Sequence, residues 1–113
     1  MTASDLCEVV ITAPDPEWAA AFTRKLVEAR LAACGHQFPI RSIYRWDGAI
    51  HDNSETRIAL HTQRHHVDHI RQITDEAHPY EVPGFLVQSV SASPDYEQWV
   101  IESTTRPTGE PDR

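Results

Sequence analysis

The stretch IRSIYRWDGAI, residues 40–50, decides the fold of this chain. Its first seven residues belong to a region with a period-two pattern and predict an extended segment. Asp47-Gly48 follows, a dipeptide suited to the positive φ angles of a two-residue hairpin turn. Residues 56–62, TRIALHT, form a second extended segment, so this part of the chain predicts a β-hairpin. The polar residues 51–55, HDNSE, predict a bulge or irregular edge in its second strand.

A strand and a helix are predicted before this hairpin. Residues 6–13, LCEVVITA, are rich in β-branched side chains and predict a buried strand. Asp15 and Pro16 suit the start of a helix, because the carboxylate can cap free amide groups and proline is tolerated in the first turn. Apolar residues at helical spacing predict that this helix continues to about Cys34, with Gly35 as its stop.

A second helix, a strand and a short helix are predicted after the hairpin. Residues 64–77 carry an apolar helical stripe, and EVPGFLVQSVSAS, residues 81–93, predicts a strand whose proline and glycine confine its start to an edge. SPDYEQWVIES, residues 93–103, predicts the last helix. The polar, proline-rich residues 104–113 predict a disordered tail, which leaves residues 1–103 as a single domain.

The order of these elements is β-α-β-β-α-β with a C-terminal helix. This order predicts an α+β, ferredoxin-like sandwich, in which helices cover one face of a four-stranded antiparallel sheet. The other face is left uncovered, and an apolar uncovered face calls for a partner. We therefore expect self-association.

Composition restricts the class of protein. The 113 residues suffice for one modest core. Seventeen acidic residues against ten basic ones give a net charge of -7, which repels nucleic acids and anionic membranes. No segment approaches the roughly 20 apolar residues of a membrane span, and no signal-peptide pattern opens the chain. We expect a cytoplasmic protein with neither nucleic acid nor membrane as partner, whose two cysteines, Cys7 and Cys34, are reduced.

Five blocks of sequence point to a known family. They are LVEARLAAC (26–34), SIYRWDGAI (42–50), SETRIALHT (54–62), HPYEVPGFLV (78–87) and PDYEQWV (94–100). HPYEVP is the most specific of them. In this order and at this spacing, the blocks resemble those of the CutA divalent-cation tolerance proteins.

The resemblance implies a ferredoxin-like subunit in a tight homotrimer, similar in architecture to the PII signalling proteins. It also implies a role in tolerance of divalent metal ions, with copper or another divalent cation bound, no required cofactor and no established catalytic reaction. Some bacterial relatives carry cysteines at the positions of Ile11 and Ile73, so a copper site built on those thiols is not expected here. The family's common lysine before the threonine of the third strand is His61 in this chain.

Cys34 and His78 are the predicted metal ligands. Both lie in family-like blocks, and a thiolate with an imidazole suits Cu(I), Cu(II) or Zn(II). The alternative is structural, since a cysteine at the end of an apolar helix often packs and a histidine before proline often caps. His65 and His69 stand four residues apart and could share an ion, but without a third donor we expect only an adventitious site on an exposed helix face.

A ligand cleft between subunits is the third candidate site. Alternation along the third strand places Glu55, Arg57 and His61 on one side. The predicted cleft residues are Tyr44, Trp46, Glu55, His61, Tyr80 and Glu81. Aromatic rings, carboxylates and an imidazole are what a small-ligand pocket needs. The alternative is that these aromatic residues fill the trimer interface.

The leading hypothesis is a cytoplasmic, trimeric protein that binds metal ions or a small ligand in this cleft without catalysis. The sequence shows no nucleophile with a neighbouring base, no glycine-rich phosphate loop and no zinc-protease motif, so no catalytic residue is predicted. A rival hypothesis is a small-molecule enzyme in the same cleft, with His61 or His78 as general acid or base and Glu55 in support. A third is a PII-like regulator that acts through a protein partner.

Overall fold

The computed structural model describes residues 5–107, which form one antiparallel sheet with helices packed against it. The elements in chain order are β1 (Leu6–Ala13), α1 (Pro16–Glu28), β2 (Cys34–Trp46), β3 (Ala49–Gln63), α2 (Val67–Ala77), β4 (Phe85–Ser89) and α3 (Pro94–Ser103), with a 3₁₀ turn at Arg64–His66 before α2. The strand order is β2-β3-β1-β4. This arrangement confirms the predicted ferredoxin-like βαββαβ fold with a C-terminal helix.

The main core lies between one face of the sheet and helices α1 and α2. The sheet contributes alternate residues of its two central strands, because Val9 pairs with Leu60 and Ile11 pairs with Ile58. The buried helix residues that pack on them are Ala19, Phe22, Leu26 and Ile70. One face of β1 and β3 is therefore sealed from water.

Helix α1 begins as the sequence predicts. The Asp15 carboxylate accepts a hydrogen bond from the backbone N–H of Trp18 at 2.7 Å, and Pro16 occupies the first turn. The carboxylate therefore satisfies one of the amide groups that a helix leaves free at its start. The Trp18 ring stacks on that of Phe22 one turn later, with centroids 4.7 Å apart.

The predicted end of α1 at Cys34 is wrong, because the helix ends at Glu28. Arg30 takes a positive φ of 59°, and the N–H of Leu31 donates to the carbonyl of Leu26 at 2.9 Å. This is the Schellman arrangement, in which the left-handed position usually holds glycine. An arginine at that position gave no stop signal, while the apolar spacing continued beyond it.

Gly35 is predicted to end the helix, but it lies near the start of β2. A β-carbon at this position would lie 2.4 Å from Cγ2 of Thr23 and 3.0 Å from Cδ2 of Leu60. The absence of a side chain thus lets α1 pack closely on β2.

The hairpin turn is the one that the sequence predicts. Asp47 and Gly48 have φ angles of 52° and 77°, and Trp46 pairs with Ala49 across them. The predicted bulge at residues 51–55 is wrong, since the pairing of β2 with β3 runs without interruption. These residues are polar because this part of β3 is largely exposed, and not because its ladder is broken.

The outer half of the hairpin extends beyond the sheet. β1 pairs with β3 only over residues 56–63, so within the described chain residues 40–46 and 49–55 form ladder pairs with each other alone. We call this two-stranded ribbon the arm. It carries exposed apolar side chains, with Ile43 66% and Ile50 61% exposed. A two-stranded ribbon is marginally stable in water, so further contacts have to support the arm.

Helix α3 covers one end of the second sheet face. A smaller buried cluster of Leu6, Ala33 and Val100 lies there. Thr104, assigned to the predicted tail, is buried, and its hydroxyl donates to the Val100 carbonyl at 2.7 Å. Thr104 is therefore part of the packed structure, whereas residues 108–113 of the predicted tail lie outside the described residues. Among residues 5–107, no helix is long and apolar enough to cross a membrane.

Candidate functional site

Three polar side chains form a row across neighbouring strands on the second sheet face. In the ladder, Cys34 of β2 pairs with His61 of β3, which in turn pairs with Glu8 of β1. Their neighbours Leu60 and Val9 point into the core, so side-chain alternation directs the row to the opposite face. We call it the Cys34–His61–Glu8 row.

Close contacts connect the row. Cys34 Sγ lies 3.7 Å from His61 Nδ1, and His61 Nε2 lies 2.9 Å from Glu8 Oε2. The Tyr96 hydroxyl of α3 lies 2.6 Å from Nδ1 and 3.2 Å from Sγ. The side chains of His61 and Glu8 are 18% and 28% exposed, so the row is reachable but largely shielded from solvent.

The hydrogen bonds orient the imidazole. A carboxylate only accepts, so His61 Nε2–H donates to Glu8, which leaves Nδ1 as the acceptor in the neutral imidazole. Burial, followed by the hydrogen bond with Cys34, raises the pKa of Tyr96 to about 12, so its hydroxyl keeps its proton at neutral pH and can donate to Nδ1. Glu8 thereby holds the lone pair of Nδ1 toward Cys34, as an outer carboxylate does for a histidine that binds metal.

The Cys34–His61 pair has the chemistry of a soft metal site. Metal–sulfur and metal–nitrogen bonds of about 2.3 Å and 2.0 Å can together span the 3.7 Å between Sγ and Nδ1. Within residues 5–107, no group of three histidine, cysteine, aspartate or glutamate side chains is arranged to hold one metal ion. The described subunit thus supplies a two-donor site with an adjacent tyrosine hydroxyl.

His78, the other predicted metal ligand, contacts Thr12, Tyr80 and Trp18 and not Cys34. Its Nδ1 accepts a hydrogen bond from the N–H of Tyr80 at 3.1 Å, so Nε2 carries the proton and donates to the carbonyl of Thr12 at 2.8 Å. The ring also packs against Trp18, with centroids 4.7 Å apart. Both nitrogens are engaged, and His78 fastens the end of α2 to β1. These contacts fit the alternative interpretation, in which His78 has a structural role at the end of a helix.

Five of the six predicted cleft residues line one cavity of about 770 Å³ between the arm and residues 80–84. They are Tyr44, Trp46, Glu55, Tyr80 and Glu81. The sixth, His61, does not line it and belongs to the Cys34–His61–Glu8 row. The structure does not bring the residues of the rival enzyme hypothesis together in the cleft. His61 does not line it, and both nitrogens of His78 make hydrogen bonds with the backbone.

A buried acid lies in the cleft wall. The Glu55 carboxylate accepts a hydrogen bond from the Tyr80 hydroxyl at 2.6 Å. Burial, reinforced by this hydrogen bond, raises the pKa of Tyr80 above its ordinary value, so the phenol stays a donor. The guanidinium of Arg41 is bound to Asp52 by two hydrogen bonds of 2.9 Å and 2.7 Å, and the negative charge of this carboxylate offsets that of the guanidinium.

The histidines of the second helix lie apart from both sites. His65 and His69 are exposed, as expected of a solvent-facing row, but His65 belongs to the 3₁₀ turn and His69 to α2. The change of helix type between them departs from the regular one-turn spacing on which a shared ion depends. His66 is half-buried, with Nε2 2.6 Å from the carbonyl oxygen of Thr104, and burial lowers its pKa.

Sequence reasoning missed Glu8 and Tyr96. Alternation along β1 could place Glu8 off the core face, but only the register between β1 and β3 shows that it meets His61. Tyr96 was placed on the last helix without a role, and nothing in its local sequence indicates contact with Cys34.

Comparison with known proteins identifies close relatives. The family described as "CutA1 divalent ion tolerance protein" matches residues 7–103. The chain is similar to the "Divalent-cation tolerance protein CutA" of Thermus thermophilus, with 34% identity over 98 residues, covering 85% of this chain and 95% of that protein.

Solved structures have the same fold. CutA from Synechococcus elongatus superposes with a TM-score of 0.87 at 33% identity, covering 93% of this chain and 95% of that one. The "Periplasmic divalent cation tolerance protein CutA" of Archaeoglobus fulgidus superposes with a TM-score of 0.86 at 27% identity, covering 88% of this chain and 99% of that one.

Proposed function

We propose that this chain, which belongs to the CutA1 divalent ion tolerance protein family, contributes to metal-ion tolerance by binding copper through Cys34 and His61, without catalysis. The observation that carries the proposal is the 3.7 Å separation of Cys34 Sγ and His61 Nδ1 on the second sheet face, beside the Tyr96 hydroxyl of α3. Thiolate and imidazole favour copper over hard ions such as Mg²⁺ and Ca²⁺.

The neighbours of the pair support this role. Glu8 fixes the imidazole with Nδ1 toward Cys34, and a bound ion would take the place of the Tyr96 hydroxyl at Nδ1. Both cysteines are free thiols, and a reducing compartment preserves the thiol that the site needs, so we place the protein in the cytoplasm.

We further propose that the working form is a homotrimer with PII-like architecture. The arm is a two-stranded ribbon, and its exposed Ile43 and Ile50 lack a core within the described subunit. Phe38 and Leu86, 41% and 58% exposed, lie on the open sheet face. Burial of these side chains by two further copies would add hydrophobic stabilisation of about 25 cal/mol per Å².

Copper affinity should depend on the pair. In an anaerobic titration of Cu(I) against a colorimetric chelator, we expect Cys34→Ser and His61→Gln each to weaken binding at least about tenfold, since each removes one of two ligands. Glu8→Gln should weaken it less, because it only disturbs the orientation of the imidazole.

Two matched controls accompany this titration. Cys7→Ser removes the other thiol, which is fully buried, and His65→Ala/His69→Ala removes the exposed helix pair. Both should leave the Cu(I) affinity unchanged. Weakening by the helix pair alone, with Cys34→Ser at wild-type affinity, would contradict the assigned site.

The oligomeric state tests the second part of the proposal. Light scattering should give a mass of three 12.8 kDa subunits. Ile43→Asp/Ile50→Asp should lower that mass by placing charges where apolar contacts are proposed, whereas Val27→Asp on α1 should not. A wild-type protein that is monomeric at micromolar concentration would refute the trimer.

A further inference from the structure

We propose that the cleft between the arm and residues 80–84 binds a small organic cation whose amino group is attached to an apolar or aromatic body. The proposal is independent of the copper pair, because neither Cys34 nor His61 lines this cavity. Its volume of about 770 Å³ falls within the range of small-molecule pockets.

The charges of the cleft favour a cation. Glu55 is a lining carboxylate that is only 8% exposed, and Glu81 is a second acid at the cavity wall. Among the described residues, Arg41 is the only basic one that lines this cavity, and its guanidinium makes a bidentate ion pair with Asp52. An excess of negative charge therefore faces the cavity.

The aromatic residues favour an organic cation. Tyr44, Trp46 and Tyr80 all line the cavity, and the faces of such rings attract ammonium groups. Val82, 68% exposed, adds apolar wall against which a carbon skeleton can pack. An inorganic ion would leave these surfaces without a function.

The donor set does not suit a metal ion. Hard cations take six or more oxygen ligands and soft ones prefer thiolate or imidazole. The lining drawn from residues 5–107 has two carboxylates and neither cysteine nor histidine. Tyr80 occupies Oε2 of Glu55, and we assign the second oxygen of that carboxylate to the ammonium group of the ligand.

Calorimetry with benzylammonium tests the proposal, and benzyl alcohol serves as the uncharged counterpart. We expect the wild-type protein to bind benzylammonium and to bind benzyl alcohol about tenfold more weakly or not at all. Glu55→Gln, which keeps an acceptor for Tyr80, and Trp46→Leu should each weaken benzylammonium binding about tenfold. Trp99→Leu is the matched control, because Trp99 is 45% exposed against 44% for Trp46 and does not line the cavity.

Three outcomes would overturn the proposal. One is equal binding of benzyl alcohol and benzylammonium, and another is equal effects of Trp46→Leu and Trp99→Leu. The third is no benzylammonium binding by the wild type together with a lower mass for Trp46→Leu in light scattering, which would assign the cleft to a second copy of the chain. Cu(I) affinity should stay unchanged in Glu55→Gln, so failure here is distinguishable from failure of the copper site.

Discussion

Replacing Leu26 with alanine is expected to lower the free energy of unfolding by about 3 kcal/mol. Leu26 is fully buried between α1 and the sheet, so truncation removes packed methyl groups and leaves a cavity. Alanine favours the helix at least as well as leucine, so the loss reports on packing and not on helix propensity. Denaturant unfolding should show a lower midpoint with an unchanged slope.

The adjacent residue provides the control. Val27 is 37% exposed on the same helix, and Val27→Ala should change stability by less than about 0.5 kcal/mol. All variants have to be compared at one protein concentration, because association contributes to apparent stability. Equal losses for Leu26→Ala and Val27→Ala would show that α1 does not present Leu26 to the core.

Gly35→Ala is expected to destabilise the protein by about 2 kcal/mol through overpacking. The added β-carbon would lie 2.4 Å from Cγ2 of Thr23 and 3.0 Å from Cδ2 of Leu60. Thr23 is β-branched and lies in a helix, which restricts its rotation. Rotation would also disturb its hydroxyl, which accepts a hydrogen bond from Gln37 Nε2 at 2.9 Å.

A double-mutant cycle tests the cause of this loss. Thr23→Ser removes Cγ2 but keeps the hydroxyl, so the double variant Thr23→Ser/Gly35→Ala should regain most of the stability that Gly35→Ala loses. Thermal or denaturant unfolding of all four proteins gives the coupling energy. Additive losses from the two substitutions would refute close packing of α1 on β2 as the reason for glycine.

Local chemistry allowed several elements to be predicted from sequence. The first strand has the predicted bounds, Leu6–Ala13, because a run of β-branched residues between turn signals is a strong pattern. Asp15 caps α1, and Asp47-Gly48 forms the hairpin turn, since both depend on residues within a few positions. The element order then led to the correct fold.

Features that depend on distant contacts could not be predicted in this way. Position 35 does call for glycine, but not because a helix ends there. A β-carbon would clash with Thr23, a helix residue twelve positions earlier. The stop of α1 lies at Arg30, where an uncommon residue takes the left-handed conformation. Periodicity does not contain this information.

The candidate sites were predicted in part. Family-like blocks and strand alternation grouped Tyr44, Trp46 and Glu55, which line the cleft with two other predicted residues. The partner of Cys34 depends on strand register, which the sequence left open, and the register selects His61. His78 matched the family pattern equally well, but its side chain donates a hydrogen bond to the backbone of β1 at Thr12.

The uninterrupted ladder of the arm also restricts how its length can evolve. Ladder pairs alternate between hydrogen-bonded and non-hydrogen-bonded types, and a two-residue turn such as Asp47-Gly48 closes on one type only. A single inserted residue would send Tyr44 or its partners to the opposite face, and one added pair would place the turn on the wrong type. Insertions that preserve the arm must therefore add two residue pairs at a time, so the length of the arm can change only in steps of two ladder pairs.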